Sequence, residues 1–189
     1  TVAVTYAALL AVSELAAVAG DDESAVKWRS AADDIQNAAH KHLFNEERQV
    51  VYRGLIVENG EIQYDQTVDT AAVFGSFMFG LFASDSHEVK ASIDTVTRVF
   101  GPSKEHPGLP RYEDDPYRRE HPETSGNWWF ITTLWKAQYD IETGNTDAAK
   151  NTLDWVNRLM LSTGMLGEQI DPTNNEVISP APLTWSHAE

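Results

Sequence analysis

The sequence predicts an all-α fold in which inner and outer antiparallel helices alternate around part of a closed ring. Two observations carry this prediction. Segments that are apolar around their whole helical circumference alternate with segments that have a single apolar stripe. Short connectors within each helix pair also alternate with long connectors between pairs, so that pairs recur about every 60 residues.

The first pair covers residues 2–19 and 22–43. Residues 2–19 are apolar almost all round, which predicts a helix buried on every side that ends at Gly20. Residues 22–43 have one stripe at helical spacing with charges between its members: Ala25, Trp28, Ala32, Ile35, Ala39 and Leu43. The first helix is therefore predicted to be inner and the second outer.

The same contrast occurs twice more along the chain. Residues 68–82 are apolar round the circumference, whereas residues 86–100 carry one stripe. Residues 127–141 are paired in the same way with the striped segment 149–160, and another helix starts near residue 184. Three complete pairs are thus predicted, each with one inner and one outer helix.

Long connectors, at roughly residues 44–66, 101–126 and 163–183, separate the pairs. Because successive helices run antiparallel, all three emerge at the N-terminal ends of the inner helices. Loops on a rigid scaffold carry a large share of binding and catalytic residues, so this face is predicted to be functional. The first connector contains two β-prone runs around Asn59-Gly60, which predict a hairpin.

Three helix pairs make half of a six-pair ring, an (α/α)6 toroid. A four-helix bundle explains the pattern less well, because every helix of a bundle shows one stripe. The chain begins without methionine and ends at Glu189 as a helix starts. We therefore expect residues 1–189 to be a partial domain.

Charge and composition exclude several classes of function. The chain has 29 Asp and Glu against 14 Lys and Arg, a formal net charge of −15, which disfavours nucleic acid and anionic membrane surfaces as partners. The apolar run 2–19 contains Glu14 and has no basic leader, so it fits neither a signal peptide nor a membrane span. Without cysteine the localisation stays open; a cytoplasm, including a salt-rich one, is slightly favoured. The six histidines show no metal spacing, and no metal or cofactor is predicted.

Four segments together resemble the C-terminal half of the catalytic domain of glycoside hydrolase family 15: YDQTVDTAAVFGSFMFGLF, GLPRYEDDPY, GNWWFITTLW and GEQIDPTNNEVISPAPLTWSHAE. The resemblance covers nearly the whole chain in order. That family includes glucoamylases, glucodextranases and some trehalases and has an (α/α)6 barrel. It implies inverting, exo-acting hydrolysis of an α-glucan or α-glucoside oligosaccharide.

Glu168 is the candidate catalytic residue. Inverting hydrolysis needs one carboxylic acid to protonate the leaving oxygen and one carboxylate to activate water on the opposite face of the sugar. Glu168 lies in a turn-rich connector, between Gly164 and Gly167 on one side and Asp171-Pro172 on the other. The resemblance implies that Glu168 is the general base; the plainer alternative is a solvated loop glutamate.

Arg111 and Asp115 are candidate substrate-binding residues. A guanidinium presents a rigid fork that can span two neighbouring sugar hydroxyls, and carboxylates three and four residues away can hold it in position. The resemblance implies that Arg111 binds substrate, with weaker support for Asp115. The alternative is a loop held together by its own ion pairs. The rest of the charged run EDDPYRREHPE is predicted to be solvated surface.

Two tryptophans complete the predicted site. Trp129, at the start of an inner helix, offers a flat face to a sugar ring, and the resemblance places it at the border of the substrate site. Trp185 matches a Leu-Thr-Trp-Ser motif of the family and either lines the pocket or lies in the core. The remaining helical tryptophans are predicted to be packing residues: Trp28, Trp135 and Trp155.

One element of the family pattern is missing. Its general acid lies in a Trp-Glu-Glu segment upstream of the helix with which this chain begins, and nothing in residues 1–189 matches it. We therefore expect the base and part of the sugar pocket here, with the rest of the same catalytic domain as the partner. The alternatives are a non-catalytic carbohydrate-binding or regulatory toroid and, among enzymes, a trehalase or glucodextranase.

Overall fold

The computed structural model describes all 189 residues and confirms the all-α class. The seven helices are α1 (Val2–Val18), α2 (Asp22–His42), α3 (Thr70–Met78), α4 (His87–Phe100), α5 (Phe130–Glu142), α6 (Thr146–Leu159) and α7 (Thr184–Ala188). Seven short strands lie in the connectors: β1 (Phe44–Asn45), β2 (Val50–Val51), β3 (Gly54–Glu58), β4 (Glu61–Asp65), β5 (Trp128–Trp129), β6 (Gln169–Ile170) and β7 (Val177–Ile178). No helix is long and apolar enough to cross a membrane.

Local capping explains where several helices begin and end. The carboxylates of Asp21 and Asp69 and the hydroxyl of Ser86 each accept a backbone N–H three residues later, at the starts of α2, α3 and α4. Helix α4 ends at Phe100. Gly101 caps it, with a φ of 64° in the left-handed region. These caps set the starts of α2, α3 and α4 and the end of α4, close to the bounds that the apolar periodicity predicts.

Two inner helices are shorter than predicted. Helix α3 ends at Met78 rather than at residue 82, because Gly80 adopts a φ of 70° and turns the chain. Helix α5 starts at Phe130 rather than at residue 127, because Trp128 and Trp129 form strand β5 and pair with Ile170 and Gln169. Both segments are largely apolar, so the sequence pattern alone could not show that residues 79–82 and 127–129 lie outside the helices.

The core consists of two clusters. The larger cluster contains side chains from helices α1, α2, α3 and α4 and from the β1–β2 pair. Its fully buried members include Phe74, Phe82 and Val89. The smaller cluster joins α5 and α6 to the third long connector through Phe130, Leu134, Trp155, Val156, Leu166 and Ile170. Leu166 and Ile170 flank the predicted base, so this connector is anchored on the helix pair beneath it.

Helix α1, whose apolar circumference suits a helix buried on every side, is open on one flank within residues 1–189. Only Tyr6 and Ser13 are buried, whereas Leu15 is 69% and Val18 88% exposed. The reason is that α1 packs within this chain against α2 and the start of α3, and its other flank has no neighbour. A continuous apolar surface is therefore left open on this helix.

The strands organise the functional face. The predicted hairpin is confirmed as β3–β4, in which Asn59 and Gly60 have φ angles of 54° and 82° and join two antiparallel five-residue strands. Strands β5, β6 and β7 form a separate three-stranded sheet with β6 in the centre. This sheet ties the third connector to the N-terminal end of α5.

Candidate active site

A cavity of about 360 Å³ opens on the face that carries the long connectors. Its wall brings together four of the five predicted site residues: Arg111, Trp129, Glu168 and Trp185. The other lining residues are Asp69, Ala71, Tyr112, Tyr117, Ile131, Thr132 and Trp135. Two carboxylates and one guanidinium among aromatic rings are suited to holding a polar ring with apolar C–H faces.

The backbone of the sheet holds Glu168 in place. Its N–H donates to the Pro180 carbonyl at 3.2 Å, and its carbonyl accepts from the Phe130 N–H at 3.4 Å. Gly167 has no room for a side chain, because an added Cβ would lie 2.4 Å from Val177 Cγ1. Glu168 thus stands at the junction of the connector with the start of α5.

Helix α7 closes over this junction. The Ser186 hydroxyl donates to the Gly167 carbonyl at 2.7 Å, and the Leu166 N–H donates to His187 Nε2 at 2.9 Å. These bonds on both sides of Trp185 bring its ring to the cavity, where the residue is 54% exposed. Trp185 therefore lies in the pocket wall rather than in the core.

The Glu168 carboxylate has one hydrogen-bonded oxygen and one without a partner in the chain. Oε2 accepts from Gln169 Nε2 at 2.9 Å. Gln169 is fully buried and also donates to Ser179 Oγ at 2.7 Å, so its amide is held on both sides of the connector. One oxygen is therefore oriented by the protein, and Oε1 is available to a molecule in the cavity.

Arg111 and Asp115 form a bidentate ion pair. Arg111 Nε and Nη2 donate to the two Asp115 oxygens at 2.7 and 2.8 Å, and Asp115 is 1% exposed. These hydrogen bonds raise the pKa of Arg111, with the charge of Glu168 as a smaller contribution in the same direction. Asp115 contacts Arg111 and does not line the cavity; its direct binding of substrate stays a prediction.

Trp129 lines the cavity and also packs against Arg111. The Arg111 guanidinium carbon lies 4.3 Å from the centre of the Trp129 ring, so a cation occupies one ring face. The Tyr117 ring lies 6.0 Å away at an angle of 37°. Trp129 is 3% exposed and its Nε1 has no hydrogen-bond partner. It therefore supports Arg111 as well as lining the cavity.

Several lining residues were not predicted from the sequence. Trp135 was assigned to packing, yet it lines the cavity with Ile131 and Thr132, one helical turn earlier on α5. Tyr112 and Tyr117 lie within the connector that carries Arg111. The position of Trp135 could have indicated its role, because it lies four residues after Ile131 and therefore on the same face of a helix already predicted to be inner.

Asp69 is a further carboxylate in the cavity wall. Its side chain is 10% exposed, forms an ion pair with Arg53 Nε at 3.2 Å and accepts from the Ala72 N–H at 2.8 Å. Burial raises the pKa of Asp69 above its ordinary value, against the opposing effects of these partners. The Arg53 guanidinium carbon lies 4.2 Å from the centre of the Tyr112 ring. Asp69 thus links the base of the β3–β4 hairpin to the cavity.

The charged run after Arg111 is solvated surface only in part: Asp114, Arg118, Glu120 and Glu123 are exposed, whereas Glu113 and His121 have partners in other connectors. Arg48 Nη1 and Nη2 donate to the two Glu113 oxygens at 3.0 and 2.8 Å, and Glu113 Oε2 also accepts from the Val68 N–H at 2.7 Å. His121 lies 3.6 Å from Asp171 in the third connector. The prediction therefore holds for the exposed members and fails for Glu113, because its partners lie far away in the sequence and meet it only in the fold.

A second cavity, of about 450 Å³, lies between α4, α5 and α6. It contains no aromatic side chain, and its Lys136 and Asp140 satisfy each other at 2.7 Å. The cavity around Glu168 combines aromatic faces, a guanidinium and a carboxylate with one free oxygen. That cavity is the candidate active site.

Comparison with known proteins gives a family match. Residues 1–186 match the family described as the mannosylglycerate hydrolase MGH1-like glycoside hydrolase domain. An uncharacterized glycosyl hydrolase of Methanocaldococcus jannaschii is 22% identical over 201 residues, covering 100% of this chain and 30% of that protein. Both findings concern glycoside hydrolases.

Solved structures share the fold. A bacterial glucoamylase complexed with acarbose superposes with a TM-score of 0.82 at 21% identity, covering 99% of this chain and 31% of that chain. A glycosidase variant in complex with glucose superposes with a TM-score of 0.72 at 17% identity, covering 98% of this chain and 48% of that chain. Glucoamylase has an (α/α)6 barrel, so the observed helices form part of such a toroid. The chain spans about a third of the glucoamylase and about half of the glycosidase.

Proposed function

Because the chain belongs to the MGH1-like glycoside hydrolase domain family, we propose that it supplies the general-base half of an inverting glycosidase site. Glu168 is the base, and Arg111, Trp129 and Trp185 form part of the sugar pocket. The proposed reaction is exo-acting hydrolysis of an α-glucosidic bond, as in the glycoside hydrolase family 15 enzymes that the sequence resembles. The general acid comes from a segment of the same catalytic domain outside residues 1–189.

One observation carries the proposal: the two carboxylate oxygens of Glu168 differ in their hydrogen bonding. Oε2 is held by the Gln169 amide, whereas Oε1 has no partner in the chain and the residue lines the cavity. A carboxylate that activates water needs one oriented side and one free oxygen to take the proton. A purely structural carboxylate is more often satisfied on both oxygens, as Glu113 and Asp115 are here.

The charges around the cavity favour a neutral glycoside. Arg111 is neutralised by Asp115 and Arg53 by Asp69, which leaves Glu168 as the uncompensated charge. An anionic ligand would meet a net negative wall, whereas sugar hydroxyls can donate to carboxylates and accept from guanidinium groups. An α-glucan or α-glucoside oligosaccharide is therefore the proposed substrate class.

A second candidate substrate is a glycoside whose aglycone carries a carboxylate, such as mannosylglycerate. The description of the family names this activity, and the 38% exposed side chain of Arg53 lies beside Tyr112 at the cavity wall. A guanidinium in that position can accept a carboxylate if it exchanges its bond to Asp69. Comparing turnover of maltooligosaccharides with that of mannosylglycerate by the full-length protein separates the two candidates.

The test of the catalytic role is Glu168→Gln in the full-length protein. The change keeps the size of the side chain and removes the proton acceptor, so kcat should fall by about 10²-fold or more while sugar binding changes little. Because water attacks directly, the unchanged enzyme should release β-glucose first from an α-glucoside. Proton NMR during early turnover identifies the anomer.

The matched control is Glu176→Gln, in the same connector. Glu176 is exposed and its side chain has no partner in the chain, so this variant should keep the activity of the unchanged enzyme. In Glu168→Ala, which leaves room for a small anion, azide should partly restore the rate by replacing the missing carboxylate. Normal turnover by Glu168→Gln, or release of α-glucose first, would remove Glu168 from the proposed role. Sugar binding without any turnover by the unchanged protein would favour the non-catalytic toroid.

A further inference from the structure

Two buried amides lie in line behind the Glu168 carboxylate. Asn127 is 4% exposed and Gln169 is fully buried. Asn127 Nδ2 donates to Gln169 Oε1 at 2.9 Å, and Gln169 Nε2 donates to Glu168 Oε2 at 2.9 Å. The three side chains thus form a chain of hydrogen bonds that ends on the proposed base.

The backbone sets the direction of this chain at its far end. Asn127 Nδ2 also donates to the Arg118 carbonyl at 3.0 Å, with the Tyr117 carbonyl at 3.4 Å. A carbonyl oxygen can only accept a hydrogen bond, so the nitrogen of the Asn127 amide must face these two groups. The opposite orientation would place the Asn127 oxygen against two carbonyl oxygens. The amide therefore has one favourable orientation.

That orientation is passed on to Gln169. Since Asn127 offers Gln169 a donor, the Gln169 oxygen turns toward Asn127 and its nitrogen turns toward Glu168 and Ser179. A reversed Gln169 would place its oxygen against the Glu168 carboxylate and its nitrogen against the Asn127 nitrogen. Both contacts would be repulsive, so the Arg118 and Tyr117 carbonyls determine which atom reaches the base.

We infer that Asn127 is a positioning residue for Glu168: it fixes the direction of the Gln169 amide, so that Glu168 Oε2 always receives a donor. The inference rests on the proposed role of Glu168 as the base. A fixed donor on Oε2 orients the carboxylate, and it leaves Oε1 as the oxygen that takes the proton from water. Asn127 does this without touching the substrate.

Asn127→Asp in the full-length protein tests the inference. Aspartate has nearly the same shape but, when ionised, cannot donate to Gln169 or to the two carbonyls. Glu168 should then lose its fixed donor, so kcat should fall about 10- to 100-fold, in the range found for residues that orient functional groups. KM should change by less than about threefold. The acidic limb of the kcat pH profile should move to higher pH, because a carboxylate that loses a hydrogen-bond donor takes up a proton more readily.

The matched control is Asn151→Asp. Asn151 Nδ2 also donates to a backbone carbonyl, that of Lys104, at 2.7 Å, but its side chain is bonded to nothing in the cavity. The same chemical change there should leave kcat and the pH profile unaltered. If Asn127→Asp folds and keeps the rate and pH profile of the unchanged enzyme, the inference is overturned. A lower rate with an unmoved acidic limb also overturns it, because that result indicates a structural role only.

Gln169→Glu decides the question if Asn127→Asp does not fold. This side chain still accepts from Asn127 and from the Ser179 hydroxyl, but it presents an oxygen to Glu168. The acidic limb should move to higher pH by about one unit or more, because two close carboxylates share a proton. An unmoved limb contradicts the inference. Loss of activity in Glu168→Gln with normal behaviour of both amide variants would leave the proposed function standing and remove only this inference.

Discussion

At the scale of single residues, the position of Glu168 depends on a close approach at Gly167. The neighbouring strand β7 comes so near that a Cβ on residue 167 would lie 2.4 Å from Val177 Cγ1. The reason for glycine here is space rather than a special φ angle, since Gly167 does not have a positive φ. The identity of residue 167 is thus tied to the geometry of the adjacent carboxylate.

Gly167→Ala should therefore lower stability by about 1–3 kcal/mol and shift Glu168 relative to the cavity. Thermal unfolding measures the first effect and kcat of the full-length protein the second. Gly54→Ala is the control, because Gly54 also lacks a positive φ and an added Cβ there meets nothing within 4 Å. Equal melting temperatures for the two variants would show that the connector can move aside at no cost.

The sequence predicted some residues of the site better than others. Glu168, Arg111 and Trp185 lie in motifs whose residue types have no obvious packing role, and all three line the cavity. Asp69 and Trp135 were missed because their local patterns have a sufficient ordinary explanation. Asp69 is a good helix N-cap, and Trp135 continues an apolar helix. Only the fold shows that both also face the cavity.

At the scale of secondary-structure elements, ion pairs join one connector to another. Glu113 accepts from Arg48 in the first connector and from the Val68 N–H at the start of α3. Burial raises the pKa of Glu113, but the hydrogen bonds from Arg48 and Val68 and the charge of Arg48 outweigh it and lower the pKa below 4.5, its ordinary value. The ionised form is thus bound more favourably in the folded state.

Glu113→Gln should destabilise the chain by about 1–2 kcal/mol at pH 7. Because the folded-state pKa is lowered, this contribution is complete above pH 4.5 and is lost as the pH falls through the folded-state value. The difference in unfolding free energy between variant and unchanged protein should therefore shrink at pH 3. Glu120→Gln, an exposed position without a side-chain partner, is the control. A difference that persists undiminished at pH 3 would contradict this account.

The boundaries of the elements show what periodicity can predict. Each predicted helix exists, because residues at a spacing of three and four share one face only when the segment is helical. The β5–β6–β7 sheet was not predicted, since two-residue strands leave no alternating pattern to detect. Trp128 and Trp129 form a strand because residues 169 and 170 lie beside them, which is a property of the fold and not of the local sequence.

At the scale of the whole molecule, α1 leaves an apolar flank open. Val12, Leu15 and Val18 are 43%, 69% and 88% exposed on one inner helix. Residues 1–189 produced alone should therefore self-associate, since apolar surface of this kind is usually covered. Light scattering with calorimetry measures the effect, and a Leu15→Lys, Val18→Lys double variant should reduce it. A monodisperse, cooperatively unfolding monomer would count against the reading of this chain as a partial ring.

The sheet at the functional face also has a consequence for the order of folding. Strand β6 reaches β5 only after the chain has passed through α5 and α6, so the pairing of Trp128 with Ile170 is a long-range contact. The helix pair brings these two ends together and reduces the entropy that a flexible loop of that length would lose. We therefore expect Glu168 to reach its position late, after the helices beneath it have docked. A substitution that slows the folding of α6 would then delay the placement of Glu168.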